Sequence, residues 1–116
     1  MPRIVLVDDD RSHMMSLSMM LEAEGFEVEC HSDGLAAWES LSKSLPDILV
    51  LDVKLPGLDG MDVVQRLRHV SNIPVMFCTT KEDEIDEVLG LRMGADDYVK
   101  KPSSPRVLLE RIRALL

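Results

Sequence analysis

The stretch DILVLDVKLPG, residues 47–57, decides the fold prediction for this chain. Residues 48–51 form an unbroken apolar run that ends on a carboxylate, Asp52, and a Lys, a Pro and a Gly follow closely. A short continuous apolar run is typical of a parallel strand that is covered on both faces. The sequence therefore predicts a buried strand, residues 47–51, with an acid at its carboxyl end.

The pattern continues in both directions from this strand. The runs RIVLV (3–7) and PVMFC (74–78) predict two more buried strands, whereas the alternating FEVEC (26–30) predicts an edge strand and DYVK (97–100) the opposite edge. Helical spacing of apolar residues follows each strand, at residues 11–24, 34–44, 59–69, 82–93 and from Ser104-Pro105 onwards. Strict alternation of strand and helix predicts one doubly wound α/β sheet with helices on both faces.

Composition narrows the classes of function. A chain of 116 residues, 46% hydrophobic and 29% charged, fits one globular domain. The net charge of −8 argues against direct contact with nucleic acid, because phosphate contacts need clustered Lys and Arg. No apolar run is long enough to span a membrane, and no signal-like segment opens the chain. We therefore expect a cytoplasmic protein without membrane contact.

Cysteine and histidine give no metal pattern. Cys30 and Cys78 lie far apart in strand-like stretches, so we expect both to be small core residues. His13, His31 and His69 show no grouping of metal ligands, and we expect all three on the surface.

Polar residues gather at the predicted carboxyl ends of the strands, where open parallel sheets bind ligands. They are Asp8, Asp9 and Asp10 after the first strand, Asp52 after the third, Thr79 and Thr80 at the end of the fourth, and Lys100 and Lys101 at the end of the fifth. If the first and third strands are neighbours, three carboxylates converge within a few ångströms. Asp10 also fits the first turn of a helix, and we favour that role for it.

Such a group of acids needs compensation, because like charges about 4 Å apart repel by several kcal/mol at a protein-like dielectric. Mg²⁺ binds through one or two carboxylates together with water and phosphate oxygens. A lysine ammonium and a threonine hydroxyl at the same edge suit the oxygens of a phosphoryl group, with a carboxylate as nucleophile. The pattern therefore indicates a magnesium-dependent phosphoryl site.

The segments LVDDD, DILVLDVKLPGLDG, IPVMFCTT and GADDYVKKP together resemble the receiver domain of two-component response regulators. The resemblance covers the whole chain and implies one receiver domain, residues 1–116. It also implies a flavodoxin-like fold, with five parallel strands in the order 2-1-3-4-5 and helices on both faces.

The resemblance implies a role for each matching residue of the site. Asp52 is the expected phosphoacceptor for a sensor histidine kinase. Mg²⁺ is the expected cofactor, held by Asp8, Asp9, Asp52 and the backbone carbonyl of Lys54. The chain is thus expected to be a signalling domain, which catalyses only its own phosphorylation and dephosphorylation.

Three further residues take roles from the same resemblance. Thr79 is expected to bond a phosphoryl oxygen and Lys101 to neutralise it, with a cis peptide bond between Lys101 and Pro102. Thr79 and Tyr98 are expected to form a switch in which Tyr98 turns inward when Asp52 is phosphorylated. Such a switch shifts the populations of existing states.

The C-terminal segment GADDYVKKPSSPRVLLERIRALL resembles the receivers of the OmpR-like class, which carry a winged-helix DNA-binding domain. Contact with DNA is therefore expected only through an output domain outside these residues. Members of this class form dimers through the fourth helix, fifth strand and fifth helix. Asp97 and Arg111 match one ion pair of that face, but Glu87 and Val107 replace another, which puts a homodimer in question.

Three alternatives remain open. The first is a pseudo-receiver that binds partners without phosphorylation, against which stand the five suitable residues at the site. A haloacid-dehalogenase-like phosphatase needs a second acid two residues after its nucleophile, where this chain has Lys54. A flavin-binding protein needs stacking groups and a phosphate loop after the first strand, which the sequence does not supply.

Overall fold

The computed structural model describes residues 1–80 and 84–116, with the side chains of residues 84 and 85 left aside. Residues 82 and 83, at the start of the fourth helix as expected from sequence, lie outside the described part. The strands are β1 Arg3–Val7, β2 Glu27–His31, β3 Ile48–Leu51, β4 Val75–Thr79 and β5 Asp97–Lys100. The helices are α1 Arg11–Ala23, α2 Gly34–Lys43, α3 Gly60–Arg68, α4 Glu84–Arg92 and α5 Pro105–Leu115.

The strands form one parallel sheet in the order β2-β1-β3-β4-β5, as expected. Side chains of the central strands alternate between two core clusters, one on each face of the sheet. In β3, for example, Leu49 and Leu51 face α2 and α3, while Ile48 and Val50 face α1 and α5. Because both faces are covered, the central strands are apolar throughout.

Side-chain caps fix the start of four helices. Asp10, Asp33, Asp59 and Ser104 each accept a hydrogen bond from a backbone amide in the first turn of α1, α2, α3 and α5. Asp10 therefore belongs to the start of α1, as expected. Gly25 ends α1 with φ +93°, a conformation that glycine adopts most readily.

The β3–α3 loop folds back against the strand end. A side chain at residue 60 would bring a Cβ to 2.0 Å from the backbone oxygen of Asp52, so only glycine fits there. The amide of Gly60 donates to the Val53 carbonyl at 2.8 Å. This close approach holds the start of α3 against the backbone of Asp52 and Val53.

The expectation that Cys30, in the edge strand β2, is a core residue is wrong. Cys78 is buried, but Cys30 is exposed in an open groove along α1 that Met14, Met15 and Ser18 also line. The strand begins one residue later than predicted, and α1 covers Val28 but leaves Cys30 open. Within the described residues, no helix is long and apolar enough to cross a membrane.

Candidate functional site

Three carboxylates meet at the carboxyl end of the sheet, where β1 and β3 are neighbours. One oxygen from each of Asp8, Asp9 and Asp52 lies within 4.8 Å of the other two. Asp8 and Asp52 are 6% and 8% exposed, and Asp9 is exposed. We call these three residues the acidic cluster; the sequence predicted their convergence.

Backbone hydrogen bonds continue past the strand ends and hold the cluster in place. The amide of Asp8 donates to the carbonyl of His31 at 3.1 Å, and the amide of Asp52 donates to that of Val7 at 3.0 Å. The Asp10 amide donates to Oδ1 of Asp8 at 2.9 Å. The acids are therefore mounted on the rigid sheet rather than on a free loop.

Lys101, the residue after β5, bridges two acids of the cluster. Its Nζ lies 2.7 Å from Oδ2 of Asp8 and 3.2 Å from Oδ2 of Asp52, and the side chain is 9% exposed. Burial alone would lower the pKa of Lys101, but the contacts with Asp8 and Asp52 raise it above its usual value. The Lys101–Pro102 peptide bond is cis, as the sequence comparison implied.

His13 is a member of the site that sequence reasoning missed. Its Nδ1 lies 2.8 Å from Oδ2 of Asp8, so the expectation of a surface histidine is wrong. Burial alone would raise the pKa of Asp8, but its hydrogen bonds, first from His13 and then from Lys101, lower that pKa below its usual value. A side chain at the third residue of a helix can reach back to the loop before it. The position of His13 in α1 was therefore the sequence signal that could have indicated its contact with Asp8.

The charges of the site suit a hard cation. The Lys101 ammonium contacts two of the three carboxylates, so negative charge remains in excess, and the ligand atoms of the cluster are oxygens. Oxygen ligands of this kind favour Mg²⁺, Ca²⁺ or Mn²⁺ over softer metals. The cluster also opens onto a surface cleft lined by Asp9, Asp52, Lys54, Leu55, Pro56 and Thr80. The donor set therefore fits Mg²⁺.

Comparison with known proteins identifies the family of this chain. The family model described as the response regulator receiver domain matches residues 4–113. The chain belongs to this family. The sensory transduction protein RegX3 of Mycobacterium tuberculosis is 45% identical over all 116 residues, which make up 51% of its length. The DNA-binding response regulator MtrA of Mycobacterium leprae is 44% identical over 114 residues, 98% of this chain and 51% of its own.

Solved receiver structures have the same fold. The BeF3-activated receiver domain of Klebsiella pneumoniae RstA superposes with a TM-score of 0.92 at 34% identity, over 97% of each chain. The receiver domain of the Francisella response regulator 1452 gives 0.94 at 28% identity, over 99% of this chain and 96% of its own. The chain spans about half the length of the curated relatives RegX3 and MtrA.

The two residues of the expected receiver switch are both buried. Thr79 is fully buried at the end of β4, and its carbonyl accepts from the Lys101 amide at 2.7 Å. Tyr98 is 7% exposed, and its ring packs against Phe77 with centroids 5.9 Å apart. A Cβ at Gly90 of α4 would lie 3.1 Å from this ring. The ring is thus already buried in this structure, and an inward turn of Tyr98 on phosphorylation remains a prediction.

Lys54 and the α4-β5-α5 face complete the list of predicted positions. The Lys54 side chain is exposed, and the metal role of its carbonyl remains a prediction. Arg111 Nη1 contacts Asp97 Oδ2 at 3.0 Å, and Lys100 contacts Glu87 at 3.4 Å, both within the chain. Val107 is 45% exposed. These four charged residues therefore have intramolecular partners.

His31 also differs from expectation, whereas His69 is exposed as predicted. The Nε2 atom of His31 lies 2.6 Å from Glu29 Oε2, and Arg3 Nη2 lies 2.7 Å from the other oxygen of Glu29. Ser40 also donates to Glu29. We call these four residues the β2 network. It lies at the sheet edge, and its side chains do not contact the carboxylates of the acidic cluster in the described part of the chain.

Proposed function

We propose that this receiver accepts a phosphoryl group from a sensor histidine kinase onto Asp52. The observation that carries the proposal is the Lys101 ammonium, buried between Asp8 and Asp52 in a cluster with excess acid. A carboxylate oxygen of Asp52 attacks phosphorus, an O–P bond forms, the P–N bond of the phosphohistidine breaks, and the imidazole nitrogen keeps the electron pair. The product is an aspartyl phosphate on this chain.

The side chains around Asp52 have separate tasks in this reaction. Lys101 neutralises charge on the phosphoryl oxygens, and the Thr79 hydroxyl donates a hydrogen bond to one of them. Asp8, Asp9, Asp52 and the Lys54 carbonyl would hold Mg²⁺, which offsets negative charge as the phosphoryl group approaches the acids. Asp52 is presented from a buried strand end, so little reorganisation is needed.

The proposed output is a change of the α4-β5-α5 face. Phosphorylation would draw Thr79 towards the phosphoryl group and favour the state in which Tyr98 is buried, and this shift in population would alter the face that carries Asp97 and Arg111. A homodimer through this face would have to exchange the intrachain pairs for intermolecular ones, and each exposed pair contributes little by itself. We propose that dimerisation is weak in the absence of phosphorylation.

The wider biological role is also a proposal. RegX3 and MtrA are about twice as long as this chain, and MtrA is named as a DNA-binding response regulator. We propose that this receiver, residues 1–116, controls transcription through a DNA-binding domain outside these residues. The charge of −8 makes the receiver itself unsuited to DNA. We place phosphotransfer in the cytoplasm.

Intact mass spectrometry tests the proposal directly. The protein is incubated with a small acyl phosphate, with and without Mg²⁺, as wild type, Asp52→Asn and Asp62→Asn. Asp62 is exposed on α3 and serves as the matched control. We expect one phosphoryl adduct that needs Mg²⁺, is lost in Asp52→Asn and persists in Asp62→Asn.

Two results would contradict phosphorylation at Asp52. An adduct of unchanged yield in Asp52→Asn would assign the phosphoryl group to another residue. A wild type that gains no adduct from the acyl phosphate or from a panel of histidine kinases would favour the pseudo-receiver instead.

A further inference from the structure

We infer that His13 is a positioning residue, whose imidazole holds Asp8 in the orientation that binds the cation. This inference rests on the proposed function, because it concerns the same metal site. It goes beyond that function by giving a role to a residue of α1 that supplies neither the phosphoacceptor nor a proposed metal ligand.

Three donors surround the Asp8 carboxylate. Oδ1 accepts from the Asp10 amide at 2.9 Å, and Oδ2 accepts from Lys101 Nζ at 2.7 Å and from His13 Nδ1 at 2.8 Å. An ionised carboxylate can only accept hydrogen bonds, so Nδ1 of His13 is the donor in this contact. The imidazole therefore fixes the rotation of Asp8.

The backbone holds His13 for this task. His13 is the third residue of α1, and its amide donates to Oδ1 of the N-cap Asp10 at 3.1 Å. The side chain of His13 is 26% exposed, so most of its surface is covered by the protein. The backbone that carries the donor is thus fixed in the first turn of a helix.

Lys101, the other donor to Oδ2 of Asp8, is also proposed to bind the phosphoryl oxygens. Lys101 divides its ammonium between Asp8 and Asp52, and a phosphoryl group on Asp52 brings three further acceptor oxygens. Lys101 is then drawn towards those oxygens. His13 contacts Asp8 and not Asp52, so it remains on Oδ2 while Lys101 turns. The site keeps an oriented Asp8 before and after transfer.

His13 acts through Asp8 rather than as a ligand itself. Among the described residues, the ligand atoms within 4.8 Å of one another come from Asp8, Asp9 and Asp52, and His13 is not among them. Hydrogen-bond partners of metal ligands typically change metal affinity by about 10- to 100-fold when they are removed. Loss of the imidazole should therefore weaken Mg²⁺ binding without removing a ligand.

Calorimetric titration of the unphosphorylated chain with Mg²⁺ tests this role. We expect His13→Leu to raise the dissociation constant about tenfold. His13→Asn, whose amide nitrogen can take the place of Nδ1, should restore affinity close to that of wild type, whereas His13→Gln should not. His69→Leu is the control, because it replaces an exposed histidine at the end of α3 and should leave Mg²⁺ affinity unchanged.

The variants separate this inference from the proposed function. If His13→Leu binds Mg²⁺ within about twofold of wild type, or if Asn and Gln are equally weak, the positioning role is wrong while Asp52 still accepts phosphoryl. If the wild type itself binds no Mg²⁺, both proposals fail together. Should His13→Leu not fold by circular dichroism, the difference between Asn and Gln decides the question.

Discussion

The acidic cluster and the β2 network are two groups of charged residues on the same sheet. They differ in the ratio of carboxylates to hydrogen-bond donors. In the β2 network, one carboxylate, Glu29, has Arg3, His31 and Ser40 as donors. In the acidic cluster, Asp8 and Asp52 share the ammonium of Lys101 and Asp8 also accepts from His13, but three carboxylates lie together. The first group is saturated by its own neighbours, whereas the second retains negative charge.

This difference distinguishes a structural group from a functional one. An acid with a full set of donors stabilises the fold and has little to offer a ligand. Buried acids in excess cost stability, and a bound cation removes that cost. The expected effect of neutralising an acid therefore has opposite signs in the two groups, and substitutions can test this.

The largest effect is expected from Lys101→Met in metal-free buffer. The variant leaves Asp8 and Asp52 buried without their shared cation, and breaking such a buried pair costs about 3 kcal/mol or more. We expect the free energy of unfolding in urea with EDTA to fall by that amount. The control is Lys100→Met, whose exposed pair with Glu87 should change stability by less than about 0.5 kcal/mol. Equal losses in the two variants would show that the buried ammonium has no special role.

A smaller effect of opposite sign is expected from Asp52→Asn. Two like charges about 5 Å apart repel by about 3 kcal/mol at an effective dielectric of about 20, and Asp52 faces both Asp8 and Asp9. Loss of the attraction to Lys101 offsets part of this relief. We expect the free energy of unfolding to rise by between about 1 and 2 kcal/mol in EDTA. A measured decrease would mean that Lys101 fully compensates the cluster, contrary to the imbalance argued here.

Periodicity predicted the parallel strands and the acids at their carboxyl ends, whereas the strand order that makes β1 and β3 neighbours came from the family resemblance. Apolar runs marked the buried strands, and the parallel arrangement brought Asp8 and Asp52 to one edge. The roles proposed for Lys54, Thr79 and Tyr98 came from family resemblance, since exposure and sequence position alone do not specify them.

The errors concerned side chains whose direction depends on how two elements meet. His13 reaches Asp8 only because α1 starts at the third residue beyond Asp8, a spacing that allows several ring directions. Cys30 is exposed because α1 leaves the end of β2 uncovered. The pairing of Glu29 with His31 and Arg3 was likewise hidden, because it joins neighbours on two strands whose register the sequence does not fix.

The smallest effect is expected from Glu29→Gln, and its pH dependence is informative. Hydrogen bonds from Ser40, His31 and Arg3 lower the pKa of Glu29 from 4.5 to about 2. A lowered pKa means that the stabilisation is complete above pH 4.5 and is lost as the pH falls towards 2. Glu29 is 36% exposed, so solvent screening limits the loss at pH 7 to about 1 kcal/mol.

Urea unfolding of wild type and Glu29→Gln across this pH range provides the measurement. We expect the variant to be less stable at pH 7 and the two stabilities to converge as the pH approaches 2. Glu27→Gln, an exposed acid on the same strand, should show no such convergence. Asp52→Asn should raise the free energy of unfolding, and Glu29→Gln should lower it. If both variants change the free energy of unfolding in the same direction, the distinction between an acid that stabilises the fold and an acid that binds a cation is refuted.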